Sequence, residues 1–119
     1  MKVVIVDDEW MGLDVTYRLL TQVTMDLELV AFFQDPREAL QQIPVLKPDL
    51  VILDLEMPDI NGLELYEQLK GMKAHFMIIS AHSQALLRER EGLNNVSILT
   101  KPFCKADISS LLEAIDLTG

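Results

Sequence analysis

Five side chains that could do chemistry stand at or just after the ends of short apolar runs: Asp7, Asp8, Asp54, Ser80 and Lys101. Asp54 is the most informative, because it ends a run that indicates a buried strand. A carboxylate in such a place is costly unless it is paired, hydrated or bound to a cation. We therefore expect another part of the chain to supply its partner.

Together these groups could carry out phosphoryl transfer. Carboxylates that lie close together cannot all stay ionised without a counter-charge, and Mg²⁺ prefers such all-oxygen ligands. With Mg²⁺ held by the aspartates, Asp54 could attack a phosphoryl group in line and form an aspartyl phosphate. The ammonium of Lys101 would offset charge on the phosphoryl oxygens, and the hydroxyl of Ser80 would donate a hydrogen bond to one of them.

Each residue also has an ordinary structural explanation. Asp7 and Asp8 could favour the positive end of a helix dipole, and Asp54 could open a turn. Ser80 could be a strand-end hydroxyl and Lys101 a solvated surface lysine. The functional interpretation depends on the combination, because the five groups fall at four strand ends of one predicted sheet.

The elements that must position these groups alternate along the chain. Five runs rich in β-branched and other apolar residues predict strands over 2–6, 27–33, 49–53, 75–80 and 96–99. They show little alternation of polar and apolar residues, which suits strands covered on both faces and hence a parallel sheet. With five helices between and after them, they predict an α/β fold with a doubly wound, five-stranded parallel sheet. Ligands of such sheets bind at the carboxyl ends of the strands, where the five groups would meet.

Helix signals support this alternation. Apolar residues at helical spacing predict a first and a last helix, around Leu13–Leu20 and Ile108–Ile115. The second helix should begin at Asp35, with Pro36 in its first position and Glu38 completing a capping box, and should end at Pro44. The third and fourth are predicted over 61–71, closed by Gly71, and over 83–92, closed by Gly92.

Composition narrows the function classes. The 119 residues fit one domain, and 10 basic against 19 acidic residues give a net charge of −9. That excess of acid argues against direct binding to nucleic acid or to an anionic membrane surface. The single cysteine, Cys104, cannot form an internal disulfide, and no signal peptide or membrane span is evident. We expect a soluble protein in the reducing cytoplasm.

The motifs around these residues resemble the receiver domain of bacterial two-component response regulators across essentially the whole chain. They are "VDDE" (6–9), "DLEMPDINGLEL" (54–65), "SA" (80–81) and "KPF" (101–103). The resemblance implies a flavodoxin-like strand order 2-1-3-4-5 and a receiver domain over 1–119 without an output domain. It also implies a histidine kinase as partner. A missing output domain or a protein target would receive the signal, and a homodimer is possible.

The same resemblance assigns roles to individual residues. Asp54 is expected to accept the phosphoryl group, while Ser80 and Lys101 grip its oxygens. Asp8 and Asp54 would bind Mg²⁺ directly, Asp7 through water, and Glu56 through its backbone carbonyl. The Lys101–Pro102 peptide bond is often cis in the family, and Pro58 and Gly62 would shape the loop that turns the Glu56 carbonyl to the metal.

Four positions mark what is particular to this chain. Ile98 stands where receivers commonly carry the aromatic residue that changes rotamer on activation, so the output must be transmitted differently. Glu56 and His82 flank the expected phosphoryl position and should tune how long the aspartyl phosphate survives. Trp10 should lie near the mouth of the crevice, either packed on the first helix or in contact with a partner.

Two alternatives remain after the resemblance. A pseudo-receiver would keep the fold as a protein-interaction module without phosphorylation, although all five site positions are filled. A haloacid-dehalogenase-like phosphatase uses a similar set of groups with Mg²⁺. In that class, however, the nucleophile follows the first strand and the paired acids come late, which is the reverse of the order here. We therefore expect no stand-alone enzyme beyond catalysis of its own phosphorylation and slow hydrolysis.

Overall fold

A computed structural model describes residues 1–23, 26–81 and 96–116 of the chain. Its five strands are β1 (Lys2–Val6), β2 (Glu28–Phe33), β3 (Leu50–Asp54), β4 (His75–Ser80) and β5 (Val96–Thr100). All neighbouring strands run parallel, and their order is β2-β1-β3-β4-β5. The predicted doubly wound sheet and its strand order are therefore confirmed.

Four helices lie in the described part of the chain: α1 (Trp10–Thr21), α2 (Pro36–Leu46), α3 (Gly62–Leu69) and α4 (Lys105–Asp116). The last of these is the fifth helix predicted from the sequence, because the one predicted over 83–92 lies outside the described residues. Helices α1 and α4 contact each other, and so do α2 and α3. Within the described residues, no helix is long and apolar enough to span a bilayer.

Alternation along the strands divides the core into two layers. On β1, Val4 and Val6 face one layer, whereas Val3 and Ile5 face the other. The first layer takes its helical residues from α2 and α3, among them Ile43 and Tyr66, and the second takes them from α1 and α4. The other buried members of the second layer are Leu13, Leu20, Leu50, Ile52, Met77, Ile79, Leu99, Ile108, Leu112 and Ile115. Because both faces of the sheet are covered, its strands are almost uniformly apolar.

The prediction that α2 ends at Pro44 is wrong, since the helix continues to Leu46. Proline removes the backbone N–H donor at its own position, but the residues after it still have theirs. The backbone N–H of Lys47 bonds the carbonyl of Ile43 at 3.1 Å and so completes the last turn of the helix. The fully buried Ile43 anchors this last turn, and Lys47 ends it in the left-handed region with φ 51°. At the other end the cap also differs in detail, because Asp35 accepts from the N–H of Arg37 at 2.9 Å rather than from that of residue 38.

Two smaller boundary predictions also shift. Helix α3 begins as expected, with the side chain of Asn61 accepting from the N–H of Glu64 at 2.9 Å. Its last helical residue is Leu69, Lys70 is the C-cap residue, and the predicted closing Gly71 follows directly after it. Strand β3 lies one residue later than predicted and thus includes Asp54, so the acidic side chain belongs to the buried strand itself.

Candidate functional site

Three carboxylates converge at the carboxyl edge of the sheet. Asp7 follows β1, its backbone N–H bonds the carbonyl of Phe33 at the end of β2 at 3.0 Å, and its side chain is buried. Asp54 ends β3 and is only 5% exposed, while Asp8 is half-buried. Carboxylate oxygens of the three aspartates lie within 4.8 Å of one another. The predicted acidic cluster is therefore formed by the fold.

Burial and mutual repulsion change the proton affinity of this cluster. Burial, reinforced by the neighbouring charge of Asp7, raises the pKa of Asp54 to about 7, although Lys101 opposes the shift. Burial also raises the pKa of Asp7, against the hydrogen bond that its Oδ1 accepts from the N–H of Glu9 at 2.9 Å. Without a further positive charge, the pair would therefore hold a proton near neutral pH.

Lys101 supplies one positive charge from the far side of β4. Its Nζ lies 3.3 Å from Oδ1 of Asp54, and its backbone N–H bonds the carbonyl of Ser80 at 2.8 Å. The Lys101–Pro102 peptide bond is cis, as the resemblance implied. Lysine and acid thus meet as predicted, although 47 residues separate them.

Ser80 reaches the same edge, where its hydroxyl bonds an acid that sequence reasoning had not assigned to it. Its side chain is 1% exposed, and its hydroxyl donates to Oε1 of Glu56 at 3.1 Å. The backbone N–H of Ala81 donates to the same oxygen at 2.9 Å. Sequence reasoning assigned Glu56 a backbone role and a place beside the phosphoryl group, but missed this contact because it depends on the path of the loop after β3.

Gly12 is a site residue that sequence reasoning missed altogether. It lies in the first turn of α1, and a Cβ at this position would overlap the Asp7 carboxylate, with Asp7 Cγ 2.8 Å away. The helix backbone therefore forms one wall of the acidic cluster. The available signal was a glycine near the start of an otherwise regular helix, where it is unfavourable unless something approaches closely.

Gly62 lies where the loop after β3 leads into α3, in close contact with the end of β3. Its N–H bonds the carbonyl of Leu55 at 3.1 Å, and a Cβ would lie 3.0 Å from both the carbonyl carbon of Asp54 and Cα of Leu55. Helix α3 can therefore begin against the end of β3 only with glycine there. Between them, Asp59 takes a positive φ of 65°. The role of the Glu56 carbonyl as a metal ligand remains a prediction.

The donor set fits a hard divalent cation. Oδ1 of Asp8 is buried and has no hydrogen-bond partner among the residues that the structure describes. A buried carboxylate oxygen left without a donor is unfavourable, and it lies beside two further carboxylates. A cation bound by oxygen ligands would satisfy this atom and the charge of its neighbours at once.

The family of the chain follows from its match to a family model. The model of the response regulator receiver domain matches residues 3–115. The chain belongs to this family. Receiver domains act in phosphorylation-dependent two-component signalling and bind Mg²⁺ at an acidic cluster, and Asp7, Asp8 and Asp54 form such a cluster here.

Several relatives and solved structures resemble this receiver domain. The sensory transduction protein LytT of Bacillus anthracis is 32% identical, with 95% of this chain and 46% of LytT covered. The DNA-binding transcriptional activator EvgA of Escherichia coli K12 is 27% identical, with 81% of this chain and 53% of EvgA covered. The response regulatory domain of mrkE from Klebsiella pneumoniae superimposes with a TM-score of 0.83 at 24% identity, covering 99% and 97% of the two chains. The chain spans about half the length of the curated relatives that it matches.

The structure describes two of the three remaining residues that Sequence analysis singled out as particular to this chain. Ile98 is half-buried and pairs with Ile78 of β4, so an aliphatic side chain does occupy the place of the family's aromatic residue. Trp10 is 60% exposed and contacts Phe32 of β2 edge to face, with 5.5 Å between ring centroids. His82 lies outside the described residues. The roles predicted for all three stay predictions.

Proposed function

We propose that Asp54 accepts a phosphoryl group from the phosphohistidine of a histidine kinase, and that Asp7, Asp8 and Asp54 hold Mg²⁺ for this reaction. One observation carries the proposal: Nζ of Lys101 lies 3.3 Å from the buried Asp54, and carboxylate oxygens of Asp7 and Asp8 lie within 4.8 Å of it. A buried acid placed between a fixed ammonium and a cation-binding cluster is suited to receive a charged group rather than to stabilise the fold.

In the proposed step, a carboxylate oxygen of Asp54 attacks phosphorus and forms a new O–P bond. The bond from phosphorus to the donor breaks, and its electron pair leaves with the imidazole nitrogen of phosphohistidine or with the acetate of acetyl phosphate. Lys101 favours the ionised form of Asp54 beforehand and lies close enough to offset charge on the phosphoryl oxygens afterwards. Bound Mg²⁺ would supply the positive charge that lets the carboxylates and a phosphoryl group share one site.

The surface beside the cluster offers a place for the phosphoryl donor. A cavity of about 320 Å³ lies between α1 and the cis-proline loop, and Asp7, Lys101 and Phe103 form part of its lining. On its rim, Met11 is 77% exposed and Val15 is 50% exposed. Exposed apolar side chains beside a polar site are typical of protein-binding surfaces. The proposed kinase would rest on this part of α1 while its phosphohistidine enters the crevice.

The proposal is tested by intact mass after incubation with acetyl phosphate, with and without Mg²⁺. Wild type should gain one phosphoryl group only with Mg²⁺, and Asp54→Asn should gain none. Asp14→Asn is the matched control, because Asp14 is an exposed acid of α1 whose ion pair with Arg18 lies outside the cluster. No gain by folded wild-type protein, either from acetyl phosphate or from a panel of phosphorylated histidine kinases, would reject the proposal.

A further inference from the structure

Glu56 already occupies the hydrogen-bond donors that lie next to the proposed phosphoryl site. Its Oε1 accepts from the hydroxyl of Ser80 at 3.1 Å and from the backbone N–H of Ala81 at 2.9 Å. Two neighbouring donors directed at one anionic oxygen form a small anion site. In this structure the anion comes from the chain itself.

We propose that the Glu56 carboxylate competes with the phosphoryl group on Asp54 for the donors of Ser80 and Ala81. The inference rests on the proposed function, because it requires Asp54 to be the acceptor. Glu56 would act through these two donors, and is therefore a positioning residue that opposes phosphorylation.

Hydrogen-bond capacity makes the competition direct. A serine hydroxyl has one proton to donate, and so has a backbone N–H. A phosphoryl oxygen can therefore receive these bonds at full strength only after Glu56 has released them. Ser80 is 1% exposed, so water offers little compensation to its hydroxyl while the exchange takes place.

The fold keeps Glu56 close to Asp54 and within reach of the donors of Ser80 and Ala81. Glu56 lies two residues beyond Asp54, and the N–H of the intervening Leu55 bonds the carbonyl of Ile79 at 2.8 Å. This bond holds the chain after β3 against the end of β4, where Ser80 and Ala81 follow. The acceptor and its internal competitor are therefore attached to the same short segment.

Charge acts in the same direction as hydrogen bonding. A phosphoryl group on Asp54 adds negative charge beside the Glu56 carboxylate, and like charges at short range repel. Substitution by glutamine separates the two effects, because the amide oxygen still accepts hydrogen bonds but carries no net charge. Competition for donors predicts that Glu56→Gln behaves in between wild type and Glu56→Ala, whereas repulsion alone predicts that both variants behave alike.

The test is the initial rate of phosphorylation by acetyl phosphate at saturating Mg²⁺, followed by intact mass. Glu56→Ala should react about tenfold faster than wild type, since a charge-assisted bond to a half-buried group is lost. Glu56→Gln should fall between them. In a Ser80→Ala background the gain from Glu56→Ala should shrink to about threefold or less, because only the Ala81 amide remains in competition. Glu64→Ala, an exposed acid in the first turn of α3, should leave the rate unchanged.

Titration with beryllium fluoride and Mg²⁺ gives a second measurement that needs no covalent chemistry. Glu56→Ala should bind this phosphoryl mimic about tenfold more tightly than wild type. Equal or weaker binding together with an equal or slower rate would overturn the inference, and so would equal gains for Glu56→Ala and Glu56→Gln.

The two proposals fail in different ways. Phosphorylation of wild type without acceleration in Glu56→Ala would overturn the competition alone. If acetyl phosphate phosphorylates Glu56→Ala, while wild type reacts only with a phosphorylated histidine kinase, the competition is supported in its strongest form. If neither protein reacts while both are folded, the acceptor role of Asp54 is wrong and the competition fails with it.

Discussion

Nζ of Lys101 lies 3.3 Å from Oδ1 of Asp54, so a lysine that follows β5 reaches across β4 to an acid at the end of β3. The acid is buried at 5% exposure, whereas the lysine side chain is 38% exposed. Asp54 is thereby held in the interior while its partner remains open to the crevice. This contact places a positive charge beside the buried acid, and the first two predictions concern that charge and the proton affinity of Asp54.

Replacement of Lys101 should slow phosphoryl transfer more than it disturbs the fold. Lys101→Ala removes a fixed positive charge from the reacting oxygens, and loss of one such group typically lowers the rate about a hundredfold. Lys101→Arg keeps the positive charge but in a side chain of different shape, and it should lower the rate less than Lys101→Ala does. Initial rates with acetyl phosphate, together with thermal unfolding of each variant, measure both effects. Equal rates for Lys101→Ala and wild type would contradict the role given to this lysine.

The raised pKa of Asp54 makes the stability of the metal-free protein depend on pH. The folded-state pKa of about 7 lies above the ordinary value of 3.8, so the folded state binds more protons between these values. The stability that this extra proton binding contributes to the folded state is fully present below the ordinary pKa, and it is lost as pH rises through about 7. Urea unfolding in EDTA at pH 5 to 8 should therefore show a smaller decrease in the free energy of unfolding for Asp54→Asn than for wild type. Parallel curves for the two proteins would show that the folded-state pKa is not raised.

Gly12→Ala should weaken Mg²⁺ binding. Its Cβ would collide with the carboxylate of Asp7, which is already fixed by the N–H of Glu9 at 2.9 Å. Loss of a group that orients the ligands of a metal typically lowers the metal affinity about tenfold or more. Alanine otherwise favours a helix by about 1 kcal/mol over glycine, so a gain in stability with unchanged affinity would contradict the collision.

The matched control is Gly71→Ala, because a Cβ at Gly71 would meet nothing within 4 Å. Its Mg²⁺ affinity should equal that of wild type. Trp10 begins α1 two residues after Asp8 and is the only tryptophan, so its fluorescence is the first readout to try in both titrations. If Trp10 gives no signal with wild type, calorimetry replaces it.

The exposed apolar residues of α1 should matter for a protein donor but not for a small one. Met11→Asp and Val15→Asp should lower the rate of transfer from a phosphorylated histidine kinase about tenfold or more, as loss of an interface anchor does. Their rates with acetyl phosphate should stay near that of wild type, because neither side chain belongs to the acidic cluster. Val45→Asp is the control, since Val45 is 73% exposed on α2, which packs on the other face of the sheet. A similar loss in this control would point to general charge repulsion.

Residue types alone predicted much of the fold and the core of the site. Apolar runs such as those in β1 and β3 can be recognised locally, because strands covered on both faces need apolar side chains throughout. Parallel topology then places every strand's carboxyl end at one edge. Asp7, Asp54 and Lys101 could therefore be brought together from their positions at strand ends without any knowledge of side-chain geometry.

Local signals were less reliable wherever distant packing decided the outcome. Pro44 is a strong stop signal, yet α2 continues beyond it because the buried Ile43 anchors the last turn and Lys47 closes it. The stop signal is local, whereas the core contact of Ile43 comes from residues far away in the sequence.

The sequence by itself determined the family, the sheet and the groups that meet at its edge, because these depend on residue type and on position along a strand. Only the tertiary structure decided which of those groups touch. Glu56 and Ser80 are 24 residues apart, and their contact requires a particular path of the loop after β3. Gly12 became part of the site only when α1 packed its backbone against Asp7. Side-chain direction and close approach between elements arise from the packing of the whole chain, and no short stretch of sequence encodes them.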